Sequence, residues 1–378
     1  MAIYYITLSL LTGTGYFFTG KKQGRRAAFC YLAIAFLSFA FLASFRYGIG
    51  FDYFSYQNIY GIVSQWSFGD IFHYIWNESF FYLACKIFSM AGCSYPVFLI
   101  FVNLFLMGVS MQFIYRFSKV PWVSVYLYLT LQFLAYQMNL IRQSIAVAFF
   151  MLAYPYLKGR KLLPYTLLVF LGGMFHNSLL FAYPLYFFLA WEYSRKMLSG
   201  ILAVTLLSYL LFDPLFAIVA PMLPARYAKY SGGYFWNANG LLYVLLPTLY
   251  CLSAYVFQGC IQDRRLRTIF TNSALFQFLI NIFITKHFIL ERFAIYPFVF
   301  SLLAIPEILW GCRGGEGKVS LPWKKEGEWR LGCRHVLLWF LLLGLAWFLF
   351  AAAEGFHRVY PYVSLLDRSL SEPELSVY

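Results

Sequence analysis

Polar side chains stand at several points where long apolar segments of this chain end, and their types could bind a phosphate or a sugar. The first such stretch, RYGIGFDYFSYQNIY, places Arg46 and Asp52 on either side of two spaced glycines. The glycines permit a sharp turn, so the two charges could form an ion pair or face a ligand. The tyrosines that follow, among them Tyr53 and Tyr56, could stack on sugar rings. An aromatic belt with a snorkelling arginine would explain the same residues.

A second stretch, NLIRQSIA, opens a later apolar segment. Asn139, Arg142, Gln143 and Ala146 recur at spacings of three and four, which places them on one face of a helix. An arginine in the first turn of a membrane span is costly against lipid, so it should face the bundle or a wet cavity unless it snorkels to the head groups. Arg142 and Gln143 together favour phosphate oxygens or sugar hydroxyls as the ligand.

Two further stretches carry groups suited to acid–base chemistry and anion binding. His176 lies in GGMFHNS, at a glycine-rich break where irregular backbone must line protein or water. The stretch PMLPARYAKYSGGYFWNANG repeats the basic and aromatic alternation of the first one through Arg226 and Tyr230. A packing histidine and an ordinary interfacial loop are the alternative interpretations of these two stretches.

The segment KHFILERFAIYPF opens one of the last apolar spans. Glu291 lies one helical turn after His287 and could pair with it, whereas Arg292 and Tyr296 lie together on another face. A local ion pair therefore accounts for Glu291 but not for Arg292, whose turn runs into the membrane. Glu78, which precedes a short apolar segment, is a further candidate.

Composition decides what kind of fold must position these groups. The 378 residues are 62% hydrophobic and 12% charged, with a mean hydropathy of +0.67, and short basic loops separate the apolar segments. This pattern is typical of an all-α, polytopic integral membrane protein. The net charge of +14 does not indicate nucleic-acid binding, because the basic residues form small loop clusters rather than one long face. The cysteines lack metal-ligand spacing, and we expect no metal or other cofactor.

A window of about 20 residues, the length that crosses a bilayer, identifies the predicted spans. Two segments do not fit a single crossing, because residues 79–91 are too short and residues 162–190 are too long and contain Gly172 and Gly173. We therefore predict a bundle of about 10–12 transmembrane helices with one or two half-membrane or hairpin elements. The clear spans are 2–19, 27–46, 95–116, 121–138, 140–157, 197–220, 240–259, 268–286, 289–310 and 335–353.

The basic loops predict the orientation of the bundle. If the clusters at 21–26, 116–119, 158–161, 195–196, 264–267 and 313–334 are cytoplasmic, about 20 of the 29 basic residues lie inside. The candidate residues named above then share the extracytoplasmic face, which predicts one polar site there. We predict a single membrane domain over 1–353, with an interfacial cytoplasmic loop at 311–334, followed by an extracytoplasmic tail at 354–378.

Taken in order, these motifs resemble the EpsG family of exopolysaccharide polymerases, which is similar to the Wzy-type polymerases of O-antigen and capsule synthesis. The resemblance covers about residues 25–310 and is carried by RYGIGFDYFSY, NLIRQSIA, FHNSLL, RYAKY and ERFAIYPF. It implies a metal-independent bacterial glycosyltransferase of the cytoplasmic membrane. Such an enzyme transfers a glycan from polyprenyl diphosphate to a hydroxyl of a lipid-linked repeat unit at the outer face.

The resemblance assigns expected roles to the candidate residues. Asp52 and then His176 are the leading candidates for the general base, and Arg142 and Arg292 would stabilise the diphosphate leaving group. Glu78 and Glu291 are lower-ranked candidates for the base, and Arg226 is a further cation that could bind the diphosphate. The predicted substrate contacts are Arg46, Tyr53, Tyr56, Glu78, Gln143, Arg226, Tyr230, Glu291 and Tyr296.

The expected partners are the polyprenyl-diphosphate-linked oligosaccharide, membrane lipid, a flippase and a chain-length regulator. Two other functions stay open at this point. A flippase or transporter of lipid-linked oligosaccharide should show internal pseudo-symmetry, which we do not detect. A membrane acyltransferase that modifies surface glycans should carry His and Arg in its first spans, whereas the first histidine here is His73, in a loop.

Overall fold

The computed structural model describes residues 1–20, 24–73, 78–222, 242–314, 317–319 and 329–367. Helices dominate these residues, which confirms the predicted all-helical membrane class. Two three-residue strands, β1 (Gly317–Val319) and β2 (Trp329–Leu331), pair antiparallel within the loop predicted at 311–334. The helices are α1 (Ala2–Thr19), α2 (Arg25–Ser44), α3 (Tyr53–Ser64), α4 (Phe68–His73), α5 (Ser79–Met90), α6 (Tyr95–Phe117), α7 (Pro121–Thr130), α8 (Phe133–Asn139), α9 (Ile141–Lys158), α10 (Leu162–Gly173), α11 (Leu185–Phe188), α12 (Arg195–Leu210), α13 (Phe212–Val219), α14 (Leu242–Val256), α15 (Arg264–Ile284), α16 (Glu291–Phe298), α17 (Ser301–Gly311) and α18 (Cys333–Ala353).

The centre of the bundle is formed by α7, α8 and α9. Every residue of α7 and α8 is buried, as expected for helices that are apolar on all sides. Helix α7 packs against α1 and α17, and α9 packs against α6, α10 and α16. The first turn of α9, which carries Arg142, is therefore surrounded by other elements rather than by lipid alone.

The structure has fewer long, continuous spans than the sequence predicts. By length and composition, α2, α6 and α18 could each cross a membrane, and two bent pairs, α12–α13 (74°) and α16–α17 (41°), raise the total among the described residues to five. The predicted span 121–138 is divided between α7 and α8 at Gln132, whose φ is 69°. Pro214 and Pro297 lie close to the two bends, where a missing N–H weakens the helix. Broken helices inside a bundle are tolerated where protein or a cavity lines them.

The two segments that do not fit a single membrane crossing, residues 79–91 and 162–190, form a short helix and a broken element. Helix α5 has 12 residues and is therefore about 18 Å long, well short of the roughly 30 Å hydrocarbon core. The segment 162–190 contains α10, a 3₁₀ turn at Asn177–Ala182 and α11, with the break directly after Gly173. A Cβ on Gly172 would lie 2.4 Å from the side chain of Leu179, so the glycine permits this close approach.

The tail beyond α18 folds back over the turn that follows α2. The backbone N–H of Tyr47 donates to the carbonyl of Val363 at 2.9 Å, and that of Gly50 donates to the carbonyl of Arg358 at 2.9 Å. No local sequence pattern predicts this return of the tail. Its contacts fix the position of the loop that carries Asp52.

Candidate functional site

Glu78 lies at the centre of the most highly charged group of side chains at the predicted outer face. It precedes α5 with a left-handed backbone (φ 64°) and is 9% exposed. Its Oε2 accepts a hydrogen bond from the guanidinium of Arg142 at 2.6 Å, and its Oε1 lies 2.5 Å from Nδ1 of His176. One carboxylate thus joins the start of α9 to the break after α10. We call Glu78, Arg142 and His176 the Glu78 cluster.

Arg142 is held by aromatic rings as well as by Glu78. Its guanidinium lies 5.6 Å from the ring centroid of Tyr56 and 5.7 Å from that of Phe81. Its side chain is 26% exposed, and its Nε has no hydrogen-bond partner in the described structure. One guanidinium donor, Nε, is therefore left for a further ligand, while Glu78 and the rings fix the position of the guanidinium.

His176 enters the cluster because the chain becomes irregular after Gly173. It has an extended backbone (φ −155°, ψ 115°) and stands just before the 3₁₀ turn. Its side chain is 12% exposed, and both ring nitrogens are buried. Nδ1 is close to the Glu78 carboxylate but poorly aligned for a hydrogen bond, and Nε2 has no hydrogen-bond partner among the residues that the structure describes. A carboxylate beside one imidazole nitrogen orients the ring and leaves the other nitrogen to act on a ligand.

The surroundings of Glu78 keep its carboxyl group ionised. Burial alone would raise the pKa of Glu78, but the close contact with His176, its charge and the charge of Arg142 outweigh it. The pKa falls to about 2 as a result. The backbone N–H of Asn177 also donates to Oε1, at 3.4 Å. At neutral pH the cluster therefore contains a carboxylate, which is suited to holding the guanidinium of Arg142 in place.

A second layer of predicted residues surrounds the cluster. The side-chain amide of Gln143 donates to the carbonyl of Arg292 at 2.5 Å, which joins α9 to α16. The hydroxyls of Tyr296 and Ser178 lie 2.7 Å apart, which joins α16 to the 3₁₀ turn. The structure thus brings together seven predicted site residues, namely Tyr56, Glu78, Arg142, Gln143, His176, Arg292 and Tyr296.

Arg46 lies in a different environment, fully buried with 0% exposure. Its guanidinium donates to the backbone carbonyl of Ala43, and its Nε and second NH₂ group have no hydrogen-bond partner in the described structure. The ring centroid of Tyr53 lies 5.9 Å away, and the ring of Tyr95 packs edge-on against Tyr53. No ion pair between described residues joins Arg46 to Asp52. We call Arg46, Tyr53 and Tyr95 the Arg46 cluster.

Asp52 is positioned by the α8–α9 junction and the tail. Its backbone N–H donates to Oδ1 of Asn139 at 3.1 Å, and the amide nitrogen of Asn139 lies 3.1 Å from Nδ1 of His357. The glycine turn that the sequence predicts is confirmed, because Gly50 has a φ of 98° and a Cβ there would lie 3.1 Å from the carbonyl of Met138. Burial lowers the pKa of His357 to about 3, so its imidazole is neutral and accepts from Asn139.

Sequence reasoning did not identify His357, Asn177 or Ser178 as site neighbours. His357 could have been suspected only from its position after the last apolar span, and no spacing links it to Asn139. Glu291 faces a neighbouring cavity, and none of the ion pairs between described residues joins it to His287. Arg226 and Tyr230 lie outside the described residues. Within the described part of the chain, no group of three or more His, Cys, Asp and Glu side chains is placed to hold a metal ion.

Comparison with known protein families gives a match over most of the chain. The sequence fits the model of a family described as the EpsG family over residues 29–321. No curated protein matches the chain, and no solved structure matches it. The matched region contains the whole Glu78 cluster, whereas α18 and the tail that carries His357 follow it.

Proposed function

This chain belongs to the EpsG family, which confirms the resemblance of its motifs, and we propose that it polymerises a polysaccharide from polyprenyl-diphosphate-linked repeat units. Family membership indicates an exopolysaccharide polymerase-type enzyme, and the apolar helices make the chain a multi-pass membrane protein. The finer proposal is transfer of a glycan from its polyprenyl diphosphate to a hydroxyl of a second lipid-linked unit. The Glu78 cluster is the observation that carries it.

The cation of the cluster matches the leaving group of this reaction. Polyprenyl diphosphate gains negative charge as its bond to the sugar breaks, and a pre-positioned guanidinium stabilises that charge. Arg142 keeps an unpartnered Nε, and its side chain is 26% exposed. Arg292 follows on α16, where its carbonyl is hydrogen-bonded to Gln143. These two arginines are the diphosphate contacts of the proposed enzyme.

The histidine of the cluster suits the acceptor side of the reaction. The acceptor hydroxyl must lose a proton as its oxygen attacks the anomeric carbon, and a positioned base assists this. Glu78 fixes Nδ1 of His176, and its buried Nε2 is unpartnered. His176 is therefore favoured over Asp52 as the base, and Glu78 positions it.

The proposed step balances as follows. The oxygen of the acceptor hydroxyl forms a bond to the anomeric carbon of the donor glycan, and the bond from that carbon to the diphosphate oxygen breaks. The hydroxyl proton passes to Nε2 of His176. The electron pair of the broken bond leaves with polyprenyl diphosphate beside Arg142. The released polyprenyl diphosphate gains one negative charge, and the proton that the histidine finally releases balances that charge.

The outer face of the bacterial cytoplasmic membrane is the proposed location of the site. Arg142 opens α9 and Lys158 ends it, and at 1.5 Å per residue the two lie about 24 Å apart along the axis. Lys158 belongs to the basic clusters predicted to be cytoplasmic. In this proposal the Glu78 cluster lies near the opposite face, where a repeat unit would arrive after a flippase has moved it.

The proposed function is tested by Arg142→Lys in cells that make the polymer. Lysine keeps the charge but loses the planar fork that grips a phosphate, so polymer should disappear while a single-repeat lipid-linked unit accumulates. The measurement is polymer by gel and lipid-linked sugar by mass spectrometry, with membrane levels of the protein followed by immunoblot.

Arg116→Lys is the matched control, because Arg116 is an exposed arginine at the other end of the bundle, near the end of α6. It should leave polymer at the wild-type level. Wild-type polymer levels in the Arg142→Lys strain would contradict the role of Arg142. If that strain makes no polymer and the lipid-linked unit does not accumulate, the proposed reaction itself is contradicted.

A further inference from the structure

A cavity with a volume of about 540 Å³ lies between the end of α1, the start of α2, the end of α6 and the start of α7. Its size is within the range of small-molecule sites. Three cationic side chains line it, those of Arg25, Arg116 and Lys119. Among the described residues, no acidic side chain lines the cavity, and no ion pair includes any of the three cations. This lining favours an anionic ligand.

The cavity lies at the end of the bundle opposite the Glu78 cluster. The charges of Lys119 and Lys158 both act on the carboxyl group of Glu307, so the cavity and the end of α9 share one face. Arg142 opens α9, about 24 Å from Lys158 along the helix axis. The cavity is therefore separate from the proposed reaction centre and lies at the face predicted to be cytoplasmic.

The start of α2 adds partial positive charge to the cavity. Gly24 and Ala28 line it, and Gly24 is the N-cap residue of this 20-residue helix. The first turn of α2 contains no acidic residue, and no described side chain caps it. A phosphate suits this lining, because helix N–H groups and guanidinium groups both donate hydrogen bonds to its oxygens.

One face of α6 indicates that the phosphate belongs to a lipid. Four residues recur on that face at spacings of four, seven and four, namely Phe101, Phe105, Gln112 and Arg116. Phe101 and Phe105 are 52% and 41% exposed, whereas Gln112 and Arg116 line the cavity. At 1.5 Å per residue, Phe105 lies about 16.5 Å from Arg116, close to half of the roughly 30 Å hydrocarbon core. Acyl chains can therefore lie against the phenylalanine rings while a head group occupies the cavity.

We infer that this cavity binds the phosphate of an anionic membrane phospholipid at the face predicted to be cytoplasmic. Arg25, Arg116 and Lys119 contact the phosphate. The amide of Gln112 and the hydroxyl of Tyr115 hydrogen-bond to the rest of the head group. Basic pockets between membrane helices on this side are typical sites for anionic head groups. The bound lipid joins α2 to α6 and α7, whatever reaction the Glu78 cluster performs.

The test is native mass spectrometry of the purified protein in detergent, titrated with phosphatidylglycerol and with phosphatidylethanolamine of the same acyl chains. The anionic lipid should bind more tightly. Arg25→Gln and Arg116→Gln should each weaken its binding about fivefold, as expected for one basic residue near an anionic head group. Arg26→Gln is the matched control, because Arg26 is the next residue on α2 and is also exposed but does not line the cavity. It should weaken binding by less than about twofold, since solvent screens a charge outside the site.

Equal binding of the two lipids by the wild-type protein would overturn the inference. An equal loss of affinity in all three variants would overturn it as well, because unspecific surface charge would then explain the binding. Soluble glycerol phosphate separates the two sources of a phosphate, and it should not displace phosphatidylglycerol. Displacement at comparable concentrations would assign the cavity to a soluble phosphate ester instead of a lipid.

Thermal unfolding of the lipid-free variants provides the second readout. Arg25 and Arg116 are exposed, so Arg25→Gln and Arg116→Gln should keep the wild-type Tm. Weaker lipid binding only in variants whose Tm falls would also contradict the inference, because the loss would then follow from damage to the fold.

Discussion

The two arginine environments at the predicted outer face differ in what surrounds the charge. Arg142 is paired with the carboxylate of Glu78 at 2.6 Å and is partly exposed, whereas Arg46 is fully buried beside tyrosine rings and a backbone carbonyl. Both arginines occur in motifs of the same kind, an apolar span joined to a polar and aromatic stretch. From the sequence alone, both arginines are therefore predicted to contact the substrate.

The difference shows which cation a ligand can reach. A partly exposed guanidinium with an unpartnered Nε can exchange or add an anion without unfolding its surroundings. The Arg46 guanidinium is shielded by the turn that follows α2 and by the tail, and a ligand would have to displace both. We therefore expect variants of the Glu78 cluster to change the reaction and an apolar replacement of Arg46 to leave it unchanged.

The largest expected effect is on the base of the Glu78 cluster. His176→Ala should lower the turnover number by roughly 10² to 10⁴, the usual effect of removing a general base, while lipid-linked substrate still binds. Asp52→Asn should lower turnover by less than about tenfold, since His176 is the group that Glu78 orients. The measurement is polymer formation by purified enzyme from lipid-linked repeat units, with binding determined separately.

The reverse pattern would change the assignment. A slow Asp52→Asn enzyme beside a fast His176→Ala enzyme would make Asp52 the base, as the sequence motifs predict. If both Asp52→Asn and His176→Ala keep their turnover, the protein contributes to catalysis only by positioning the substrates and stabilising charge.

A smaller effect is expected at Arg46. Arg46→Met should retain polymer formation and should change Tm by less than about 4 °C in either direction, because apolar replacement of a buried, incompletely satisfied charge is often neutral or stabilising. The check is a thermal unfolding curve together with polymer levels in cells. Loss of polymer at an unchanged Tm would make Arg46 a substrate contact and would remove the contrast with Arg142.

The smallest effect concerns pH. Because the pKa of Glu78 is lowered from 4.5 to about 2, its ionisation stabilises the folded protein fully above pH 4.5, and this contribution is lost as pH falls toward 2. The difference in Tm between the wild-type protein and Glu78→Gln should therefore be constant from pH 7 to about 5 and shrink below that. A difference that instead shrinks as pH rises from 5 to 8 would show that the carboxyl pKa is raised, and that the ion pair with Arg142 is not maintained.

Much of the fold was predictable because lipid imposes a strong constraint on sequence. Local sequence is enough to identify the apolar segments of about 20 residues, the basic loops and the break at Gly172 and Gly173. The sequence could not predict that the span 121–138 divides at Gln132, since a left-handed residue between two buried helices is decided by packing. Continuous spans and broken ones have the same composition, so a hydropathy window counts both.

The candidate site could be predicted only in part, because packing between distant segments also decides which residues meet there. The sequence by itself determined the residue types, the apolar segment that Arg142 and Gln143 open, and the family that the motifs identify. Only the tertiary structure decided that Glu78, far from both in sequence, joins Arg142 to His176, and that His357 of the tail reaches Asn139. Helical periodicity orders residues within a few turns, whereas contacts between distant segments depend on how whole helices pack, and no local pattern records that.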